Sequence, residues 1–435
     1  MSMLEKRENV RGRCLLVGLA CDSTADFENS DEVTMAELAE LVKTAGGETV
    51  MTAMQNKHTP DPHTFIGEGK AAELKELIAA NEIDLTIVDN ELSPSQSRAL
   101  EEALSCRVID RSGLILDIFA DRARTAEGKL QVELAQYQYL LPRLTGMWTH
   151  LVRQTASGGA SPIGTRGPGE TQLETDRRHI RRKIQRLQED IRDLQRIRAT
   201  QRSKREKNEI PLICIVGYTN AGKSTLLNAL TGAEVHAADR LFDTLDPTTR
   251  LLHTQQMGDL LFSDTVGFIR KLPHHLIDAF RSTLEELTYA DVLLHVVDAS
   301  DAQWRLQSHV VEELISQLGA EKTPRILIFN KADRLREDQL PRESGALFCS
   351  ALKGLGLEQI IDRICQVLGE SMHTVDFVLP YAQAQLLDYL YRAANVRRAD
   401  YVETGIHVEA IVDEKVFGRL QEVLPPEQRR RHEVF

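Results

Sequence analysis

Residues 212–230 read LICIVGYTNAGKSTLLNAL and decide the fold class of the chain. The run from Gly217 to Ser224 fits G-x-x-x-x-G-K-[ST], the pattern of a phosphate-binding loop. Five apolar residues precede it, as in a buried parallel strand, and leucines at helical spacing follow it. A loop between a strand and a helix N-terminus directs backbone N–H groups at an anion. An ordinary glycine turn is the alternative, but it would explain neither the lysine nor the serine.

Individual positions of the loop suggest distinct roles. Gly217 and Gly222 permit backbone conformations that a side chain would forbid. Lys223 can reach the terminal phosphates as a catalytic residue, and the Ser224 hydroxyl can ligate Mg²⁺. Asn220 stands where potassium-dependent GTPases place a cation-coordinating asparagine, so K⁺ is a candidate cofactor; a loop-stabilising amide is the alternative. The predicted nucleotide contacts of the loop are Gly217, Tyr218, Thr219, Asn220, Ala221, Gly222, Lys223, Ser224 and Thr225.

Two switch-like segments follow the loop. The polar run 242–249 lies where the first switch is expected, and of its threonines we favour Thr244 as a Mg²⁺ ligand. A strand-like run then ends in DTVG, residues 264–267. Asp264 would hold Mg²⁺ indirectly, and the Gly267 N–H would sense the γ-phosphate as a catalytic group. The next residue is Phe268, where Ras-like enzymes carry a water-orienting glutamine, so we predict slow hydrolysis by the chain alone.

Two base-recognition segments complete the pattern. Strand-like residues 325–329 lead into NKAD, residues 330–333. Asp333 can accept hydrogen bonds from the ring N–H and amine of guanine, whereas adenine presents a lone pair there. Buried polar mismatches of this kind discriminate by roughly 10⁴-fold or more. Residues 350–352 follow another strand-like run, and their backbone can meet the base oxygen. Five motifs in this order predict GTP or GDP as ligand, with Mg²⁺ as cofactor.

The predicted nucleotide contacts outside the loop are Phe242, Asp243, Thr244, Leu245, Asp246, Asp264, Thr265, Val266, Gly267, Asn330, Lys331, Ala332, Asp333, Ser350, Ala351 and Leu352.

The rest of the chain surrounds this core with three further regions. Residues 1–121 alternate strand-like and helix-like segments, which predicts an α/β domain with a parallel sheet. Within it, residues 66–70 (IGEGK) form a turn leading into a helix and not a second nucleotide loop. Residues 122–208 predict an antiparallel helical hairpin whose glycine-rich loop, 157–169, fits neither regular element. The P-loop GTPase domain with its parallel sheet covers 209–371, and 372–435 predict a small α/β appendage.

The second helix of the hairpin is strongly basic. Between Arg177 and Lys207 there are 13 Lys/Arg against 4 Asp/Glu, a balance of +9 in a chain whose net charge is −12. A solvated helix face is one interpretation, but the excess of one sign favours a local contact with a phosphate backbone. The predicted RNA-binding residues are Arg177, Arg178, Arg181 and Arg182.

Composition limits the remaining classes. The 435 residues are 42% hydrophobic and 27% charged, as in globular proteins. Apolar runs of about 18 residues do not occur, so we predict no membrane span. Six isolated cysteines without a C-x-x-C pair predict reduced thiols, a cytoplasmic location and no zinc site. We expect a monomer.

Three further stretches make the pattern specific: NELSPSQ at 90–96, DRSGLILDIF at 110–119 and GTRGPGETQLETDRR at 164–178. With the five motifs, residues 13–370 resemble the HflX family of translation-factor-related GTPases. The resemblance implies binding to the large ribosomal subunit and its rRNA, and splitting of stalled or idle ribosomes, notably under heat stress. Residues 157–162 lengthen the glycine loop relative to the usual form of the family.

Three alternative functions remain at this stage. The chain could be an assembly GTPase acting on precursor RNA. It could be an ATP-driven RNA remodeller, although Asp333 disfavours adenine. It could also be a regulatory switch in which GTP only gates binding to a protein.

Overall fold

A computed structural model gives the conformation of most of the chain. It describes residues 12–22, 30–144, 168–207, 210–232, 241–242, 248–254, 256–272, 285–369, 372–413, 416–418 and 420. The chain divides into two compact units. The first comprises Met1–Leu194, Ala238–Asp246 and Phe268–Arg281, and the second comprises Gln195–Ala237, Pro247–Gly267 and Ser282–Phe435.

The first unit contains a four-stranded parallel sheet in the order β2-β1-β3-β4. Helices connect its strands, which confirms the predicted α/β architecture and places an apolar core between sheet and helices. Its elements are β1 (Arg13–Cys21), α1 (Glu32–Thr44), β2 (Glu48–Lys57), α2 (Glu68–Ala80), β3 (Leu85–Val88), α3 (Pro94–Leu104), β4 (Arg107–Asp110) and α4 (Arg111–Arg122). Gly67 is the N-cap of α2, so the IGEGK stretch leads into a helix as predicted.

Helix α4 was not anticipated from the sequence. Its residues from Arg111 to Phe119 are buried with the exception of Asp117. A helix that is covered on nearly every side carries no amphipathic period, which is the signal that sequence analysis uses. Asp110 caps the helix by accepting a hydrogen bond from the Gly113 N–H at 2.9 Å.

Two helices of the middle region pack against each other through apolar side chains. They are α5 (Ala126–Leu140) and α6 (Pro168–Lys207). Leu134 of α5 and Leu187 and Ile191 of α6 form one buried cluster, and the four-residue spacing of Leu187 and Ile191 places both on one face of α6. The prediction that residues 168 and 169 belong to the glycine loop is wrong, because α6 begins at Pro168. Proline is tolerated in a first helical turn, where its missing N–H has no intrahelical partner.

The second unit contains a six-stranded sheet in the order β10-β9-β8-β5-β7-β6. All neighbouring pairs are parallel except β6 and β7, so the expected parallel sheet carries one antiparallel edge strand. Its elements are β5 (Leu212–Gly217), α7 (Lys223–Thr231), β6 (Thr248–Thr254), β7 (Gly258–Asp264), β8 (Val292–Asp298), α8 (Trp304–Gln317), β9 (Arg325–Asn330), β10 (Leu347–Phe348) and α9 (Leu357–Gly369).

The C-terminal part of the second unit is a small antiparallel sheet. Its order is β11-β13-β12, and a helix packs against it around a separate apolar core. The elements are β11 (Met372–Leu379), α10 (Gln385–Ala393), β12 (Asn395–Val402) and β13 (Gly405–Asp413). The predicted small α/β appendage is therefore confirmed. Residues 381–383 form a 3₁₀ turn before the helix.

None of the helices in the described ranges is long and apolar enough to cross a membrane.

Candidate nucleotide-binding site

The predicted phosphate loop connects the carboxyl end of β5 to the N-terminus of α7. Gly222, the last residue before α7, has φ +91°, a conformation that glycine adopts without steric cost. A Cβ at this position would lie 2.3 Å from Nδ2 of Asn330. The loop therefore requires glycine here for two reasons, its backbone conformation and the close approach of a side chain from β9.

Lys223 is buried at the start of α7, where its ammonium group is held by the loop itself. Its Nζ donates a hydrogen bond to the Tyr218 carbonyl oxygen at 2.8 Å. Burial lowers the pKa of Lys223 to about 8; Asp264 counteracts this shift, and nearby Lys331 adds to it. A buried cation whose charged form is disfavoured gains stability when an anion arrives, as a phosphate would.

Ser224 and Asp264 bring two oxygen atoms together beside the loop. The Ser224 hydroxyl lies 2.6 Å from Oδ2 of Asp264. The pairing of β5 with β7 sets this proximity, since Ile215 is opposite Asp264 in the parallel register. Hydroxyl and carboxylate oxygens are the donors that Mg²⁺ prefers, so this pair fits the cofactor that a phosphate loop implies.

Gly267 lies against the phosphate loop. A Cβ there would come within 2.8 Å of Cγ2 of Thr219 and 3.0 Å of Nζ of Lys223. Any side chain at this position would collide with the loop. The backbone of Gly267 is thus close to the lysine predicted to bind the terminal phosphates, as a γ-phosphate sensor must be.

Asn330 connects the phosphate loop with the second base-recognition segment. Its side chain is buried, donates from Nδ2 to the Ala221 carbonyl at 2.9 Å, and accepts at Oδ1 from the Ala351 N–H at 3.0 Å. These partners are 109 and 21 residues away in sequence. The asparagine therefore aligns the two segments with each other.

Lys331 and Asp333 project from the end of β9. Lys331 Nζ donates to the Asn220 carbonyl at 2.8 Å and pairs with Asp298 at 2.7 Å. Asp333 pairs with Lys353 at 3.1 Å. A hydrogen bond from Ser350 is the main cause of its lowered pKa, and Lys353 contributes further. Asp333 is therefore ionised at neutral pH and acts only as an acceptor, as recognition of guanine requires.

Sequence reasoning missed two residues at this site, Asp298 and Lys353. Both act through a partner, by pairing with Lys331 and Asp333. Asp298 is the last residue of β8 and lies at the same edge of the sheet as the other motifs. A polar residue at the carboxyl end of a parallel strand is a signal from which the sequence could have indicated this site residue. Lys353 has no such marker, because it lies in a turn after the recognised segment.

Several predicted contacts lie outside the described residues or face elsewhere. Residues 243–246, which include Thr244, are outside the described ranges. The Phe242 side chain is buried edge-to-face against Phe119 of α4, with ring centroids 4.8 Å apart. A nucleotide contact by Phe242 would therefore have to come from its backbone. Leu352 is 82% exposed, whereas Ala351 and Ser350 are buried.

Comparison with known proteins identifies the family. Family models described as GTP-binding GTPase N-terminal, GTP-binding GTPase Middle Region and 50S ribosome-binding GTPase match residues 32–120, 122–205 and 212–331. The chain is 47% identical to the GTPase HflX of Caldanaerobacter subterraneus over 392 residues, which cover 90% of each chain. The chain belongs to the HflX family of GTPases. It is accordingly a GTP hydrolase, and the resemblance noted in the sequence is confirmed.

Two other relatives support this assignment over similar lengths. The GTPase HflX of Lacrimispora saccharolytica is 44% identical over 425 residues, covering 97% of this chain and 98% of that one. The GTPase HflX of Escherichia coli is 42% identical over 385 residues, covering 87% and 89%. Membership of a GTPase family argues against the alternative of an ATP-driven RNA remodeller.

The basic helix of this HflX-family chain presents most of its predicted RNA-binding residues to solvent. Arg178, Arg181 and Arg182 of α6 are exposed, whereas Arg177 is half-buried. Lys183 on the same helix pairs with Glu133 of α5 at 3.1 Å, so this cation takes part in joining the two helices. The three exposed arginines are the ones able to meet a phosphate backbone.

Proposed function

We propose that this HflX-family GTPase binds the large ribosomal subunit and its rRNA and, with GTP bound, separates stalled or idle ribosomes into subunits, notably under heat stress. The match of residues 212–331 to a 50S ribosome-binding GTPase model carries the proposal. The exposed arginines of α6 support it, because a row of solvent-facing cations suits a phosphate backbone.

The nucleotide part of the mechanism rests on the chain's own residues. Lys223 and the loop N–H groups bind the phosphates, and ionised Asp333 selects guanine. Ser224 and Asp264 would hold Mg²⁺, which when bound neutralises charge on the β- and γ-phosphate oxygens. Asn220 is the candidate ligand for K⁺. It is exposed at the outer surface of the loop and has φ +63°.

Hydrolysis is expected to await the ribosome. Phe268 is 1% exposed, so its side chain is packed in the protein and supplies no polar group to a water molecule. A partner that orders the first switch would complete the site, a disorder-to-order change found in other GTPases. In such a cycle the γ-phosphate selects the ribosome-binding conformation, and hydrolysis then releases it.

Light scattering of intact ribosomes tests the splitting activity directly. We expect a fall in scattering with GTP and with a non-hydrolysable analogue, but not with GDP. Lys223→Ala is expected to abolish the effect, because the phosphates lose their cationic partner. Splitting by GDP as effective as by GTP would contradict the mechanism. Binding to precursor particles without any splitting would favour the assembly GTPase instead.

A further inference from the structure

A buried ion pair occupies the carboxyl edge of the N-terminal sheet. The connections of this sheet reverse direction between β1 and β3, and open α/β sheets bind ligands in the crevice at such a point. Asp89 follows β3 there and has a fully buried side chain. Its partner is a lysine of the same chain: Lys271 Nζ pairs with Asp89 and lies 3.3 Å from the Ser30 hydroxyl.

Lys271 belongs to the segment that directly follows the γ-phosphate sensor. Phe268 and Ile269 are 1% and 0% exposed, and Arg270 pairs with Asp31, the N-cap of α1, at 3.5 Å. The boundary between the two compact units falls between Gly267 and Phe268. The segment Phe268–Lys271 is thus held within the first unit by two ion pairs and by apolar burial.

The tether from this anchor to the sensor is short. Three residues lie between Gly267 and Lys271, and the four Cα–Cα steps limit their Cα distance to about 14 Å. Gly267 already lies so close to Thr219 and Lys223 that no side chain would fit. The anchored segment therefore limits the positions that Gly267 can take, and Gly267 has no free space on the side of the phosphate loop.

Asp89 is paired with two cations in the part of the chain that the structure describes. It pairs with Lys271 and, at 2.8 Å, with Arg111, which also pairs with Glu37. Losing Lys271 therefore removes one of the two cations that stabilise the buried carboxylate of Asp89. The backbone of Lys271 has φ +53°, a left-handed conformation that non-glycine residues keep where their surroundings hold them.

We propose that Lys271 and Asp89 are positioning residues of the GTPase, whose ion pair in the N-terminal sheet fixes the segment after Gly267 and so holds the γ-phosphate sensor in place. The pair acts through Gly267 and touches no nucleotide itself. This inference rests on the GTPase site alone and is independent of ribosome splitting.

The test uses the full-length chain without ribosomes. Lys271→Met is expected to lower the ratio of GTP-analogue to GDP affinity and the single-turnover hydrolysis rate by about fivefold or more, the lower range of typical coupling. Lys271→Arg is expected to restore both, because it keeps the charge. Asp89→Asn should have the same effect on the affinity ratio and the rate, and the double variant should be no worse than either single one, since both single changes break the Asp89–Lys271 pair; Asp89→Asn also removes the pair with Arg111.

Arg143→Met provides the matched control. Arg143 pairs with Asp110 at 3.0 Å at the same edge of the same sheet, and within the described residues its hydrogen bonds go to Asp110, Tyr139 and Leu92 and not to the sensor segment. We expect it to lower the melting temperature while leaving the affinity ratio and the rate unchanged. The proposal is overturned if Lys271→Met lowers only the melting temperature, if its hydrolysis is faster, or if the arginine variant fails to rescue. Effects of Lys271→Met and Asp89→Asn that add in full would overturn it as well.

Discussion

At the scale of single residues, Lys223 combines a structural and a chemical role. Its ammonium group donates a hydrogen bond to the Tyr218 carbonyl, inside the loop that would receive the phosphates. Burial lowers the pKa of this group to about 8, well below that of an exposed lysine. Part of the binding free energy of a nucleotide must therefore restore the charged form at alkaline pH.

Nucleotide binding should take up protons near pH 8. The free site is about half protonated there, and bound phosphates raise the lysine pKa, so we expect uptake of about half a proton at pH 8 and about a tenth at pH 7. Because the complex binds more protons than the free protein, affinity should fall as pH rises through about 8. Isothermal titration calorimetry in two buffers of different ionisation enthalpy measures the uptake. Equal heats in both buffers at pH 8 would contradict the prediction that Lys223 takes up a proton when nucleotide binds.

Asp333 should determine which base is bound. Asp333→Asn replaces an acceptor by an amide donor, so we expect GTP affinity to fall by about tenfold or more and xanthosine triphosphate affinity to rise. Asp301→Asn is the matched control, since Asp301 accepts from the Gln303 N–H at the start of α8 and lies in none of the nucleotide motifs. Competition binding with labelled GDP measures both. Unchanged GTP affinity in the Asp333 variant would remove it as the base reader.

At the scale of secondary-structure elements, α6 has two different faces. Leu187 and Ile191 are buried against α5, while Arg178, Arg181 and Arg182 face solvent. One helix thus serves packing and charge presentation at once. Its apolar face fixes which arginines are available, so the half-buried Arg177 is the least accessible of the four predicted RNA-binding residues.

Reversing the exposed charges of α6 should weaken ribosome binding specifically. For Arg178, Arg181 and Arg182 changed together to Glu, we expect lower affinity for large subunits and a salt dependence flatter by about one slope unit per lost phosphate contact. GTP affinity should be unchanged. The control reverses three other exposed arginines, Arg336, Arg342 and Arg363. Co-sedimentation over a salt series distinguishes the two variants, and an unchanged slope in the α6 variant would assign that face to solvation.

At the scale of the whole molecule, the residue that follows the sensor Gly267 is Phe268, whose buried apolar side chain offers no group to orient water. Large ribosomal subunits should therefore stimulate hydrolysis by at least about tenfold, equivalent to about 1.4 kcal/mol of barrier. Single-turnover hydrolysis with and without large subunits measures the effect. Lys223→Ala should abolish the stimulated rate, while small subunits serve as the control and should not stimulate. Fast turnover by the chain alone would refute the need for a partner.

The sequence by itself determined the phosphate loop, the base motif and the α/β character of the N-terminal region. These features are local: a buried strand, a glycine turn and a helix are contiguous, and their periodicity is visible in one window. It did not show α4, whose burial on nearly all sides removes the helical period, or β6, an edge strand with mostly exposed side chains. Both lack the alternation on which local patterns depend.

Only the tertiary structure decided how distant segments meet. The Asn330 side chain joins the phosphate loop to the turn at Ala351, and Lys271 reaches Asp89 across 182 residues of sequence. Neither contact has a local signal, because a side-chain pair depends on strand order and register and not on the composition of either stretch. The motifs therefore specify the chemistry of the site, while the packing of the sheets specifies which residues hold it in position.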